Sequence, residues 1–351
     1  MTGGRVVSVV GTPGERRVVL FGEACAAAGL PAPHVIPWRT VLSGDPFTVR
    51  GPLRIESPGG DPGTDALLRG PGDPARVEGG ARWYATFVRG LERLRPYAAN
   101  VDDIAAMFDK RTTHARLSAA GVPVPAALPA VTSYDGLRRA MADGGASRVF
   151  VKPAHGSSAS GVVALQTGSR GRIKAVTSAV PAPGGGYRNS LRVRAYEDEH
   201  EVARLIDALA PDGLHTERWY PKAALGGRVL DLRVVVIGGR ATHAVVRTST
   251  HPMTNLHLGG SRGDLAAVRE LLDWDAAMEV CERAAACFPG SLMAGVDLLV
   301  RAGWRRCAVG EVNAFGDLLP GLTGLPGSSA EGVGTYTAQL RAVMGEMSCA
   351  T

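Results

Sequence analysis

Two short stretches decide the fold: Ala294-Gly-Val-Asp297-Leu-Leu-Val300 and Ala308-Val-Gly-Glu311-Val-Asn313. Both are apolar and β-prone apart from three oxygen-bearing side chains, and Gly303 and Trp304 lie between them. They read as the arms of an antiparallel hairpin. Facing positions in such a hairpin keep a nearly constant sum, so Asp297 falls opposite residue 310, one step from Glu311. Glu311 and Asn313 are two apart and share a face. Two carboxylates and an amide thus converge on one side of two apolar strands. Burying carboxylates together is costly unless a cation neutralises them, and a set of hard oxygen donors suits magnesium. A polar edge turned to water would show the same letters, so the rest of the chain has to decide.

Working upstream, Asp231-Leu-Arg233-Val-Val-Val leads through Gly238-Gly239 to a strand ending at Arg247. Asp231 and Arg233 share one face, and Asp231 lies across from about Arg247. That face suits an anionic ligand beside a hydroxylated sugar, although alone it reads more readily as a surface salt-bridge ladder. Further upstream, Phe150-Val-Lys152-Pro-Ala-His155-Gly156-Ser157-Ser158-Ala-Ser160-Gly161 is a strand end with a lysine and a Gly/Ser loop. Backbone N–H groups of such a loop can wrap phosphate oxygens, with the lysine as a point charge. It is not a Walker A motif. Thr216-Glu217-Arg-Trp219-Tyr220-Pro-Lys222 leaves a strand at a proline and could form a hinge whose backbone reads a purine edge. Asn255-Leu-His257 lies on a loop after Arg247, and a lone histidine there is more often structural than a base.

The 351 residues, 45% hydrophobic and 21% charged, exclude a disordered tail, a collagen and a small disulfide scaffold. Two or three small domains are expected. Five scattered cysteines include no CxxC pair, which argues against a zinc site or a disulfide frame. No apolar run is long enough for a membrane span and the first residues show no signal peptide, so the expected location is cytoplasmic. The net charge of +6 fits nucleic acid or an anion pocket, but aromatics make up only 5%, leaving few stacking platforms. Of 39 basic residues only four are lysine: Lys110, Lys152, Lys174 and Lys222. In so arginine-biased a chain, a retained lysine inside a motif points to a need for a compact ammonium.

The remaining pattern is α/β. A strand over residues 5–10, a helical stretch through residue 28 and a strand at His34–Pro37 predict an open α/β unit. Residues 43–80, rich in Gly, Pro and Asp, read as a long loop, as do residues 179–189. Residues 102–121 predict one helix, residues 198–209 a second and residues 265–286 a third, and strands dominate from Thr216 onward.

Taken in order, these pieces resemble the ATP-grasp superfamily, and within it the RimK-type and glutathione-synthetase-like carboxylate–amine ligases. The likeness spans roughly residues 100–325. It implies an N-terminal α/β domain (1–98) followed by two α+β subdomains (99–210 and 211–351) that grip ATP. It implies that Lys110 and Lys152 hold the α- and β-phosphates, and that the loop from Gly156 through Ser157, Ser158, Ser160 and Gly161 to Val162 closes over the β/γ end. Glu217, Trp219 and Tyr220 would read adenine, and Asp231 would meet the ribose. Asp297, Glu311 and Asn313 would bind one or two Mg2+, with Mn2+ as a substitute. Arg247 and Asn255 would face the transferred phosphate and the substrate carboxylate, with Arg233 as a further contact. The implied reaction joins a carboxylate to an amine through an acylphosphate, with ADP and phosphate released. The substrates would be small molecules or peptides, in a chain that could form a homo-oligomer. A kinase acting on a small molecule, or a protein that binds nucleotide without turnover, would use the same nucleotide residues.

Overall fold

The computed structural model describes residues 6–156, 159–316 and 319–345. A first sheet is parallel, with β1 (Ser8–Gly11) between β2 (His34–Pro37) and β3 (Leu53–Ile55). All four residues of β1 are buried, as a strand covered on both faces requires. The helix Arg16–Ala27 buries Val18, Phe21 and Cys25 at helical spacing. The helix Thr335–Val343, from the other end of the chain, packs on it through Tyr336 and Leu340. The segment expected to be one long loop contains β3 and the helix Pro62–Arg69, which Asp61 caps by accepting the Thr64 N–H at 2.7 Å. Without a clear apolar period, such short elements leave little trace in the sequence.

The second sheet is antiparallel: β4 (Arg148–Pro153), β5 (Val163–Thr167), β6 (Ile173–Pro181), β7 (Tyr187–Tyr196) and β8 (Leu214–Arg218), in the order β7-β6-β5-β4-β8. Its core is built with the helices Tyr134–Asp143 and Glu199–Leu209. Residues 179–189, expected to be a loop, are mostly strand; only a tight turn remains, where Gly185 and Gly186 take φ of 91° and 71°.

The third sheet adds β9 (Ala224–Leu225), β10 (Arg228–Ile237), β11 (Arg240–Ser249), β12 (Ser261–Arg262), β13 (Met293–Val300) and β14 (Cys307–Asn313). The ladder runs β12-β11-β10-β13-β14, and β9 pairs with β10. The helix Trp274–Ala286 covers one face, burying Met278, Cys281 and Ala284.

Two helices expected to be continuous are broken, each by an aspartate. Residues 101–119 form Val101–Met107 and Lys110–Ala119, and Asp109 accepts the Arg111 N–H at 2.9 Å. Residues 265–286 form Leu265–Leu271 and Trp274–Ala286, and Asp273 accepts the Ala276 N–H at 3.2 Å. A short carboxylate satisfies the free N–H groups of a helix start, so the apolar period continues across a break in the backbone. The first break matters for function. The Lys110 N–H bonds to the Ala154 carbonyl at 3.0 Å, which pins the lysine beside the loop that follows β4. Among the described residues, no helix is long and apolar enough to cross a membrane.

Candidate active site

The second and third sheets face each other across a cleft. Its walls are apolar, with Phe150 of β4 and Val162 just before β5 on one side and Met253 and Leu299 on the other. Its polar lining is Lys110, Lys152, Glu217, Lys222, Asp231, Arg247, Asn255, Asp297 and Glu311. The cleft opens into a larger cavity of about 650 Å3, reaching Arg17 of the helix Arg16–Ala27 and Ser57, Gly59 and Gly60 of the loop after β3. Gly156, Arg247, Asn255 and Glu311 line both spaces and so mark the doorway between them.

On β10, β11 and β13 the register sets Asp231 opposite Arg247 and Arg233 opposite Asp297. The result is a ladder of alternating charge. Lys222 Nζ lies 3.0 Å from Asp231, whose other oxygen accepts Arg247 Nε at 2.8 Å. Arg247 Nη2 reaches Asp297 at 3.1 Å, and Arg233 Nε donates to the second Asp297 oxygen. Thr254 donates to Asp231 as well. The pattern is no surface ladder: Asp231, Arg247 and Asp297 are all buried. Burial alone would raise the Asp231 and Asp297 carboxyls. The cations beside them, Arg247 and Lys222 for one and Arg233 and Arg247 for the other, outweigh it and hold both below the ordinary range. Both aspartates are therefore charged at neutral pH.

A second group of charges meets the first at β14. Lys110 Nζ stands 3.0 Å from Glu311 and also donates to the Gly156 carbonyl. Lys152 Nζ pairs with Glu217 at 2.5 Å and donates to the Gly310 carbonyl at 3.2 Å. Glu217 is buried, and its other oxygen lies 3.3 Å from His215 Nε2. Burial would raise the Glu217 carboxyl, but Lys152 and His215 hold it lowered, while burial keeps His215 below its usual value.

Asp297 and Glu311 stand directly opposite each other, and Asn313 pairs with Gly295 and donates to its carbonyl at 3.2 Å. The donor set is all oxygen, two carboxylates and an amide, which suits a hard divalent cation. Among the described residues, no three His, Cys, Asp or Glu side chains cluster to hold a metal. An ion here would need oxygen donors from the amide, water and phosphate besides the two carboxylates.

No family model and no curated protein sequence matches the chain. Solved structures do. The ATP-grasp ligase PsnB, complexed with its minimal precursor, is similar over 97% of this chain and 99% of its own, with a TM-score of 0.57 at 17% identity. The D-cycloserine synthetase DcsG is similar over 97% and 99%, with a TM-score of 0.56 at 16% identity. The ADP complex of purK, the N5-carboxyaminoimidazole ribonucleotide synthetase, has a TM-score of 0.59 at 14% identity over 97% of this chain and 77% of that one. The chain has the ATP-grasp fold.

Within the ATP-grasp cleft most of the expected residues come together. Lys110, Lys152, Gly156, Ser160, Glu217, Tyr220, Asp231, Arg247, Asn255, Asp297 and Glu311 all line it. Arg233 and Asn313 line the larger cavity instead, and His257 lies there too. Gly161 sits just behind the cleft, where its φ of 67° and a 2.9 Å approach of Pro153 to any added Cβ leave room only for glycine. Ser157 and Ser158 lie outside the described residues. Trp219 does not line the cleft. Its ring packs on Phe150 at 5.0 Å and carries the Arg148 guanidinium at 4.4 Å, so it backs the apolar wall.

Sequence reasoning gave no individual role to Phe150, Met253, Leu299, Lys222 and Thr254. The apolar three look like ordinary core residues. Lys222 carried one signal, as one of only four lysines in the chain.

Proposed function

We propose that this chain is an ATP- and magnesium-dependent carboxylate–amine ligase working through an acylphosphate, of the RimK-type and glutathione-synthetase-like kind. One observation carries this reading: the doorway between the slot and the larger cavity is lined by Arg247, Asn255 and Glu311. A nucleotide in the slot would present its terminal phosphate there, to whatever fills the cavity. PsnB has been solved with magnesium and ADP, which agrees with a nucleotide in the slot.

In this reading adenine lies between Phe150 and Val162 on one side and Met253 and Leu299 on the other, beside residues 217–220. Lys110 and Lys152 release their carboxylate partners to meet the phosphates. Asp231, held by Lys222 and Arg247, faces the ribose. Asp297, Glu311 and Asn313 would hold magnesium, which offsets the phosphate charge when bound. The substrate carboxylate attacks the γ-phosphorus, and the bond to the ADP oxygen breaks. The amine then attacks the acyl carbon and phosphate leaves, with the amine's proton passing to solvent. No protein nucleophile is needed. The chain's work is positioning and neutralisation by Lys110, Lys152 and Arg247, with Asn255 orienting the carboxylate.

The test is ADP release with magnesium, pooled amino acids and small carboxylic acids, in the presence of hydroxylamine. An acylphosphate is trapped as a hydroxamate, whose mass names the acid. ADP without hydroxamate would instead indicate phosphorylation of an alcohol or idle hydrolysis.

A further inference from the structure

β7 is the outermost strand of the second sheet, and its far edge is only partly covered. Residues 75–77 already lie along its beginning as an added strand. The Val77 N–H donates to the Tyr187 carbonyl at 3.0 Å, the Asn189 N–H donates to the Ala75 carbonyl at 2.7 Å, and Arg76 bridges Arg188 in antiparallel sense. Beyond Asn189 no described segment pairs with this edge. There the ladder slips: Thr177 faces Arg194 while Ala179 faces Asn189, so residues 190–193 bulge outward. Leu191, on that bulge, is 72% exposed, the highest value among the exposed large hydrophobics. Arg188, Arg192 and Arg194 are exposed and carry no ion pair among the described residues.

The bulge also has a position relative to the site. Val193 shares a small apolar cluster with Leu258, and β7 packs on the turn Leu256–Leu258. Leu256 and His257 of that turn line the larger cavity. An extended segment continuing the line of residues 75–77 along β7 would run toward the cavity mouth.

We infer that the open edge of β7 docks an extended acidic segment of a peptide substrate by strand addition, delivering it to the cavity. This inference rests on the ligase reading above, and assigns its carboxylate substrate to the peptides. Backbone hydrogen bonds would supply affinity, while the three arginines and Leu191 would select acidic residues alternating with apolar ones. A second copy of this chain does not fit the edge. Two-fold pairing would set this arginine-rich strand against itself, and facing like charges are destabilising.

The test uses the full chain and a fluorescein-labelled decapeptide of alternating valine and glutamate, read by anisotropy. A valine–lysine decapeptide is the control. The glutamate peptide is expected to bind and to weaken with salt, and the lysine peptide to fail. Arg192→Glu with Arg194→Glu should weaken binding by about tenfold or more. Leu191→Ser should weaken it without the salt effect. Unchanged thermal midpoints would show that both variants fold. Failure of the glutamate peptide to bind, equal binding of both peptides, or indifference to the arginine reversals would overturn the inference. So would self-association of the wild type that the same reversals abolish. A chain that binds the peptide here yet traps no hydroxamate keeps the docking edge and loses the ligase reading.

Discussion

Asp297 faces Glu311 directly across the β13–β14 ladder, although the turn between the two strands predicts that it should face Gly310. Leu298 pairs with Val309, Asp297 pairs with Glu311, and Gly310 is the extra residue between them. The bulge does two things at once. It turns Glu311 onto the face of Asp297, and it presents the Gly310 carbonyl to Lys152. A side chain at 310 would press on Leu299 at 3.2 Å. Glu311→Gln keeps the ladder and the bulge but removes the charge beside Lys110 at this face. We expect this substitution to abolish magnesium-dependent ADP release while circular dichroism keeps its strand signal. Retained turnover would show that Glu311 does no work at this face.

Lys152 is the main cation lowering the buried Glu217 carboxyl, and it lies in the cleft where phosphates are proposed. Lys152→Ala should cut ADP release by about 100-fold or more. It should also lower the thermal midpoint, because Glu217 keeps its burial and loses its partner. Lys152→Arg should recover stability better than turnover, since a planar guanidinium cannot replace a point charge in a narrow site. Near-wild-type ADP release by the alanine variant would remove the lysine from the nucleotide site.

Asp231 joins Lys222, Arg247 and Thr254 in one buried knot. Asp231→Asn leaves the buried Arg247 and the half-buried Lys222 short of a counter-charge, and should cost about 3–5 kcal/mol by the measure of other broken buried pairs. Chemical denaturation would read this as a lower midpoint with an unchanged slope. A variant as stable as the wild type would mean that the knot is relaxed by water in solution.

Stability should fall in two stages as pH decreases. His155, His215 and His243 are held below their usual value of 6.5 by burial. Below about 6.5 the unfolded chain takes up protons that the folded chain refuses, so stability declines from there. Glu217, Asp231 and Asp297 have lowered carboxyls, so their contribution is complete above the ordinary carboxylate range and is lost as pH falls through the folded values. Denaturation midpoints measured from pH 7 downward test this. His215→Gln should reduce the first stage, to which His155 and His243 still contribute, and weaken the Glu217 share of the second. A midpoint constant from pH 7 to 5 would contradict the histidine assignment.

Much of the site was legible because strands enforce simple spacing. Asp231 with Arg233, and Glu311 with Asn313, share faces by a period of two that needs no tertiary information. The pairing of Asp231 with Arg247 followed from the turn at Gly238–Gly239. The breaks at Asp109 and Asp273 were hidden because apolar spacing continues through them. The apolar walls of the cleft were hidden because a leucine facing a ligand and one facing a core look alike.

The sequence by itself determined the main strands of the third sheet and the oxygen and cation side chains carried on them. These depend on local period and turn placement. Only the tertiary structure decided that Arg233 and Arg247 both take Asp297, that Lys152 rests on Glu217, and that the cleft opens on a second cavity. Each of these joins residues dozens of positions apart or more, on strands brought together by burial of their apolar faces. Which carboxylate meets which cation is then settled by register and desolvation, and neither is written in the spacing of letters along one strand.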